Sequence, residues 1–230
     1  MTSTYPVTAG VLAEPTVYQP QEDSRLLVRA MECSGLIPGR RVLDLCTGSG
    51  FAAVAAAEMG CASVTAFDIC PHAVDCTQGN AIVAGVDIDV REGSWIAALR
   101  CGPFEVVVAN PPYVTTPPED DIDVVSPGVG PSWAWNAGVD GRRVLDPLCA
   151  SASNLLHDGG SLLLVQSALA GVHRSLDCLR SIGLDADVVA FERIPFGPVL
   201  TARAAWLEDI GLVPHGCREE ELVVIRADKP

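Results

Sequence analysis

Val42-Leu43-Asp44-Leu45-Cys46-Thr47-Gly48-Ser49-Gly50 is a short apolar run that passes through a glycine-bearing turn into an alanine-rich stretch, 51–59, closed by Gly60. A strand, a tight turn and a helix in that order make the first part of a βα unit. Gly48 and Gly50 have no Cβ, so the backbone there can turn sharply and let a ligand approach closely. Taken alone, the loop is also what a tight turn in any α/β protein looks like.

The same alternation continues on both sides. Strands are expected at Arg41–Leu45, Ser63–Asp68, Asp87–Arg91, Glu105–Asn110, Ser161–Gln166, Asp185–Phe191 and Glu221–Arg226. Most are near-continuous apolar runs, the mark of strands covered on both faces of a parallel sheet. Helices are expected at Glu22–Met31, 51–59, 72–84 after Pro71, Val144–His157 and 168–182, the last with Leu169, Val172, Leu176 and Leu179 on one face. The pattern predicts an α/β fold with a doubly wound, seven-stranded, mostly parallel sheet. A long insertion, Glu192–Arg218, separates the last two strands without a clean helical pattern, which favours a hairpin-like antiparallel terminal strand.

Composition narrows the class. The 230 residues suit one α/β domain, and the apolar fraction of 49% suits buried strands. No apolar stretch is long enough to span a membrane, and Met1–Gly10 lacks a basic start with an apolar run, so a cytoplasmic protein is expected. Nine cysteines, at 33, 46, 61, 70, 76, 101, 149, 178 and 217, are odd in number and show no metal-ligand pairing. They read as free thiols in a reducing compartment, with no metal site. A net charge of −14 repels phosphate backbones at long range and counts against a dedicated nucleic-acid binder.

The loop after the first strand has no lysine of the phosphate-cradling kind and does not fit the G-x-G-x-x-G dinucleotide pattern. Asp44 before the turn suits a cationic ligand bearing an amino group. Asp68, at the end of the next strand with Ile69 after it, can accept the hydroxyls of a ribose, although a lone Asp there is also a common helix cap. The two together point to an adenosyl ligand without phosphates, which S-adenosylmethionine is.

Val106-Val107-Val108-Ala109-Asn110-Pro111-Pro112-Tyr113 carries the chemistry. A planar amide or aryl-amine nitrogen is a poor nucleophile because its lone pair is delocalised. The Asn110 side-chain oxygen and the Pro111 carbonyl can each accept one N–H of such an NH₂ group, orienting it and stabilising the charge that develops on it. Tyr113 can stack on the planar group.

With these motifs in place, the chain resembles the HemK-type glutamine N5-methyltransferases, members of the class I S-adenosylmethionine-dependent enzymes. The resemblance rests on Asp44-x-Cys46-Thr47-Gly48-Ser49-Gly50, on Asp68 and on Asn110–Tyr113, and covers roughly residues 15–230. It implies one methyltransferase domain over 1–230, with 1–40 an N-terminal arm and helix and 41–230 a Rossmann-like core. It implies cofactor contacts from Asp44, Cys46, Thr47, Gly48, Gly50, Asp68, Ile69 and Asn110. Ser94 and Trp95, after Gly93, fall where the family touches adenine. Tyr18–Ser24 looks like the family stretch whose acids, here Glu22 and Asp23, close over the cofactor's methionine end. Those acids also suit a first helical turn on electrostatic grounds. Trp133–Arg142 looks like the segment after the substrate loop.

The resemblance is to the short form of the family, so the N-terminal helical domain of the bacterial release-factor enzymes is not expected. The eukaryotic and archaeal catalytic subunits of this kind methylate a glutamine in a Gly-Gly-Gln motif, the eukaryotic one with a small partner subunit. The expected substrate is therefore a protein amide. The same tetrad serves adenine-N6 methylases, and a small metabolite is a further alternative. A cofactor-binding partner subunit without activity would have no need of an intact Asn110–Tyr113. Thr115–Pro131, with acids at 119–121 and 123, reads equally as a surface loop or a substrate gate.

Overall fold

The computed structural model of the chain describes residues 11–12, 14–118, 125–126 and 130–230. Met1–Gly10 and the acids of the Thr115–Pro131 loop lie outside these residues.

At the centre of the sheet lies β1 (Arg41–Leu45), buried from Val42 onward. It pairs in parallel with β2 (Ser63–Asp68) on one side and β4 (Phe104–Ala109) on the other. Beyond β2 lies β3 (Asp89–Glu92), and beyond β4 lies the long strand Leu156–Ser167. Before that strand the chain makes a short antiparallel pair, β5 (Val125–Ser126) and β6 (Gly130–Pro131), so Leu156–Ser167 is β7. The last two strands are β8 (Asp185–Pro195) and β9 (Glu219–Asp228). β9 runs antiparallel to both neighbours and sits between β7 and β8, giving the order β3-β2-β1-β4-β7-β9-β8.

Helices cover the sheet in two groups. α1 (Glu22–Ser34), α2 (Phe51–Glu58) and α3 (Pro71–Ala84) pack in sequence on one another and on the strands. The short α4 (Trp95–Ala98), α5 (Leu145–Leu155) and α6 (Val172–Ser181) form the second group. Consecutive buried runs such as Val106–Ala109 and Leu162–Val165 show why the central strands carry no polar face. Truncating a leucine of this core, such as Leu163, to alanine costs about 2–5 kcal/mol.

The structure departs from the sequence reading in two places. The expected helix 168–182 is broken at Gly171 (φ +78) into a single 3₁₀ turn, Ala168–Ala170, and α6. The fully buried Arg142 explains the break: its Nη1 donates to the carbonyls of Ala170 (2.9 Å) and Gly171 (3.2 Å), which a continuous helix would have used internally. The insertion 192–218 contains a true helix, α7 (Pro198–Asp209), with Pro198 in its first turn. Its apolar face is interrupted by the buried Arg203, which hid the helical period. α7 packs in a small cluster of its own with Phe196, Leu200, Ala204, Leu207 and Val213.

Candidate active site

From β1 the chain winds outward to β2 and β3, then crosses back to β4, so the carboxyl ends of β1 and β4 part and leave a crevice. A cavity of about 290 Å³ opens there, walled by the 44–49 loop, Asp68, Ile69, Gly93–Trp95, Asn110 and Pro112.

The loop after β1 is shaped by backbone conformations few residues accept. Gly48 (φ +56) and Gly50 (φ +80) are left-handed, and so is Cys46 (φ +59), the one non-glycine residue with positive φ among those described. A Cβ on Gly50 would sit 2.8 Å from Thr77 Cγ2 on α3, so glycine is required there by packing. A Cβ on Gly48 would meet nothing, and its wall stays open to a ligand. The Gly48 amide donates to Asp68 Oδ2 (2.9 Å) and the Cys70 amide to Asp68 Oδ1 (3.0 Å). Asp68 is thus both a fastener for the loop and a carboxylate in the cavity wall with lone pairs left over.

Asp44 is buried and accepts from Thr47 Oγ1 at 2.6 Å. Burial pushes its carboxyl up to about 7, Thr47 opposing the shift and the Asp68 charge adding to it. Burial likewise pushes the Cys46 thiol up, keeping it neutral. A carboxyl so raised gains from a cation placed beside it. Ser94 caps α4, accepting from the Ile96 amide at 3.3 Å, with Trp95 next to it in the wall.

The Asn110–Tyr113 tetrad divides. Asn110 and Pro112 line the cavity, Pro111 is buried and lies outside the cavity wall, and Tyr113 lines a second chamber of about 330 Å³ on the far side. Tyr18 lines both. Between them stands Asp23. Its Oδ2 accepts from Tyr113 OH (2.9 Å), Tyr18 OH (3.0 Å) and Asn110 Nδ2 (3.1 Å), while Oδ1 takes the Ser24 amide (2.6 Å). Burial first, and Asp23 second, hold both tyrosines far above their ordinary pKa. Because a carboxylate can only accept here, the Asn110 amide must turn its NH₂ toward Asp23, leaving Oδ1 as an acceptor.

The acids of the arm are therefore placed differently from the sequence expectation. Asp23 grips the tetrad and Glu22 is exposed, pairing with Arg25 at 3.4 Å; neither lines the cavity holding the glycine loop. The helical period explains this, since neighbours in a first turn point about 100° apart. Gly141 (φ +70) lies so close to the tetrad that a Cβ would come within 2.4 Å of the Tyr113 carbonyl oxygen. Three further residues line these chambers without any local sequence signal of their own: Ser24, Trp135 and Glu220, the first two within the family-like segments Tyr18–Ser24 and Trp133–Arg142.

This sheet order, with an antiparallel strand inserted next to its end and a cavity at the switch point, defines a class I methyltransferase fold. The methyltransferase small domain family matches over residues 9–126, just over half of the chain. A Methanocaldococcus jannaschii protein named for protein N5-glutamine methylation is 30% identical over 190 residues, 83% of this chain and 92% of that one. The release factor glutamine methyltransferase of Deinococcus radiodurans is 40% identical over 146 residues, 62% of this chain. This alignment spans about half (51%) of that bacterial enzyme. Among solved structures, the E. cuniculi Mtq2–Trm112 complex, responsible for methylation of the termination factor eRF1, superposes with a TM-score of 0.62 at 20% identity. That match covers 94% of this chain and 99% of the other. The chain belongs to the methyltransferase small domain family, in its HemK-type branch, and is a methyltransferase. Among the described residues no helix is long and apolar enough to cross a membrane, and no group of His, Cys, Asp and Glu is arranged to hold a metal ion.

Proposed function

We propose that the chain transfers a methyl group from S-adenosylmethionine to the side-chain amide nitrogen of a glutamine in a protein of the translation-termination kind. The observation that carries this reading is the fixed rotamer of Asn110, whose Nδ2 is held by Asp23 (3.1 Å) and Ser24 Oγ (3.3 Å) so that Oδ1 is left to accept.

The cavity residues fit the cofactor. Asp44, raised by burial, suits its ammonium; Asp68 suits the ribose hydroxyls; Ile69, Ser94 and Trp95 suit the adenine; and the open face of Gly48 admits close approach. When bound, S-adenosylmethionine supplies an electrophilic methyl group on sulfonium. The chain's own part is to hold the nucleophile. Asn110 Oδ1 accepts one N–H of the acceptor NH₂ and the Pro111 carbonyl the other. Both dipoles favour the nitrogen more strongly as it becomes positive, which is stabilisation realised in the transition state. The surplus proton then leaves to water, so the site needs no strong base.

A protein acceptor is supported by the glutamine-methylating names of the relatives and by the net charge of −14. A cytoplasmic setting fits the nine free thiols. The test is to incubate the chain with radiolabelled cofactor and cell lysate, then treat portions with protease and nuclease. Label destroyed by protease and spared by nuclease is the expected result; the reverse would move the acceptor to a nucleic-acid base. Running the assay on the purified chain alone also decides whether a partner subunit, like the neighbour's Trm112, is required.

A further inference from the structure

The chamber beyond Tyr113 is lined by two residues that each carry a buried polar atom without a hydrogen-bond partner. Trp135 is 6% exposed and its Nε1–H has no hydrogen-bond partner; Glu220 Oε2 is buried and has none either. Both residues line this chamber. The hydroxyls of Tyr18 and Tyr113, in the same wall, both donate to Asp23. Native proteins seldom leave a buried donor or a buried acceptor idle, since each has given up its hydrogen bonds to water. Two such atoms in one cavity mark the complement of a ligand.

Topology puts them on the reacting side. β9 is antiparallel, and Leu222 pairs with Ser167, the last residue of β7, so Glu220, paired with Ile194 near the end of β8, lies beyond the end of β7 at the carboxyl edge of the sheet, the edge from which Asn110 projects. Burial raises Glu220 to about 7, the Ser167 hydroxyl opposing this and Asp23 adding to it, so an N–H donor would be welcomed by the carboxylate. Much of the wall is apolar (Val114, Ile194, Leu200, Leu222), and its charged members, Glu22, Asp23 and Glu220, are all acids. An anionic ligand, whether a phosphodiester or a glutamate side chain, is disfavoured there.

We infer that Trp135 and Glu220 determine acceptor specificity, the indole N–H donating to a carbonyl oxygen of an acceptor peptide and the carboxylate accepting one of its N–H groups. This rests on the protein-amide reading above. A hydrogen bond to an amide oxygen draws the nitrogen lone pair further into the carbonyl and so does not speed transfer. The pair therefore acts on binding and leaves turnover to Asn110.

The experiment uses the full chain saturated with S-adenosylhomocysteine for binding and with S-adenosylmethionine for rates. The probes are a capped decapeptide centred on Gly-Gly-Gln, the same peptide with Glu for Gln, and an adenine-containing ten-nucleotide DNA. Trp135→Phe keeps the ring and removes the N–H. It should raise the peptide Kd and KM about 5–10-fold, with kcat within about threefold and cofactor affinity unchanged. Glu220→Ala should raise them about tenfold or more, and the isosteric Glu220→Gln, which also guards against misfolding, by less. The glutamate peptide should bind at least about tenfold more weakly than the glutamine peptide. If the parent methylates the peptide and the variants keep its Kd and KM, this inference fails and the protein-amide reading stands. If the DNA is bound and methylated in place of the peptide, both fall. If the loaded parent binds neither probe, the chamber is not an acceptor site and the inference is overturned.

Discussion

The two walls of the active site are built in opposite ways. The proposed donor wall comes mainly from short consecutive pieces, 44–49, 68–69 and 93–95, each at the end of one strand. The proposed acceptor wall is gathered from Tyr18 and Asp23, Tyr113, Trp135, Pro195, 197–200 and Glu220, spread over about two hundred residues. A wall made of strand ends is positioned by sheet hydrogen bonds. A wall gathered from afar is positioned by side chains holding one another, and Asp23 is where Tyr18 and Tyr113 of this wall meet Asn110 of the other. Damage to the first should appear in cofactor affinity, and damage to the second in turnover and acceptor binding.

Four measurements would break or sharpen that division. The largest effect is expected from Asn110→Ala, which removes the acceptor facing the target nitrogen. Turnover should drop roughly 10²–10³-fold, by analogy with loss of one oxyanion-hole donor, with cofactor affinity nearly unchanged. Near-parent turnover would make the tetrad a structural turn. Asp23→Ala comes next. It leaves Asn110 free to flip and two buried tyrosine hydroxyls unpaired, so kcat should fall on the order of 10–100-fold and stability by about 2–4 kcal/mol. Calorimetry with S-adenosylhomocysteine should still give the parent's affinity, and a cofactor-binding defect as large as the rate defect would erase the distinction between the walls.

On the donor side, Asp68→Ala should weaken S-adenosylhomocysteine by more than about tenfold, or about 1.5–3 kcal/mol, through lost charge-assisted hydrogen bonds. Parent affinity in that variant would leave Asp68 as only a fastener of the Gly48 and Cys70 amides. The smallest effect concerns pH. Asp44 has an ordinary value of 3.8 and titrates at about 7 in the folded chain. Between those values the folded state holds a proton that the unfolded state has lost. The ligand-free protein should therefore gain stability as pH falls from 8 toward 5, by at most about 1.4 kcal/mol per unit, and lose it as pH rises through 7. Glu220 acts in the same direction. Melting temperatures at pH 8 and 6 should show the gain, Asp44→Asn should flatten it, and cofactor affinity should move the opposite way, weakening as Asp44 protonates.

The donor wall was legible in the sequence for the reason that makes it rigid. β1 and β2 fall at the residues their apolar runs mark, because Gly48, Gly60 and Asp68 punctuate them and the ligand-facing groups sit one or two positions beyond. The acceptor wall was legible only where a motif named it, at Asn110–Tyr113. Glu220 sits in a run of four charged residues, Arg218–Glu221, and nothing local says which of them turns inward; pairing of β9 with two neighbours decides it. α7 was hidden by Arg203, buried in an otherwise apolar face so that its guanidinium can reach the Thr115 carbonyl at 3.0 Å and Asn136 Oδ1 at 2.8 Å. The break at Gly171 was invisible because its cause, Arg142, lies some thirty residues earlier.

The placement of β9 has a consequence for how the molecule is made. β8 pairs only with β9, so after residues 185–195 leave the ribosome they have no neighbour in the sheet until 219–228 follow. Synthesis proceeds at about 5–20 residues per second, so this exposed edge persists for seconds. During that interval the strands beneath the glycine loop already have every partner they need, whereas the chamber still lacks Glu220. Birth order therefore favours a nascent chain competent to hold cofactor before it can recognise anything to methylate.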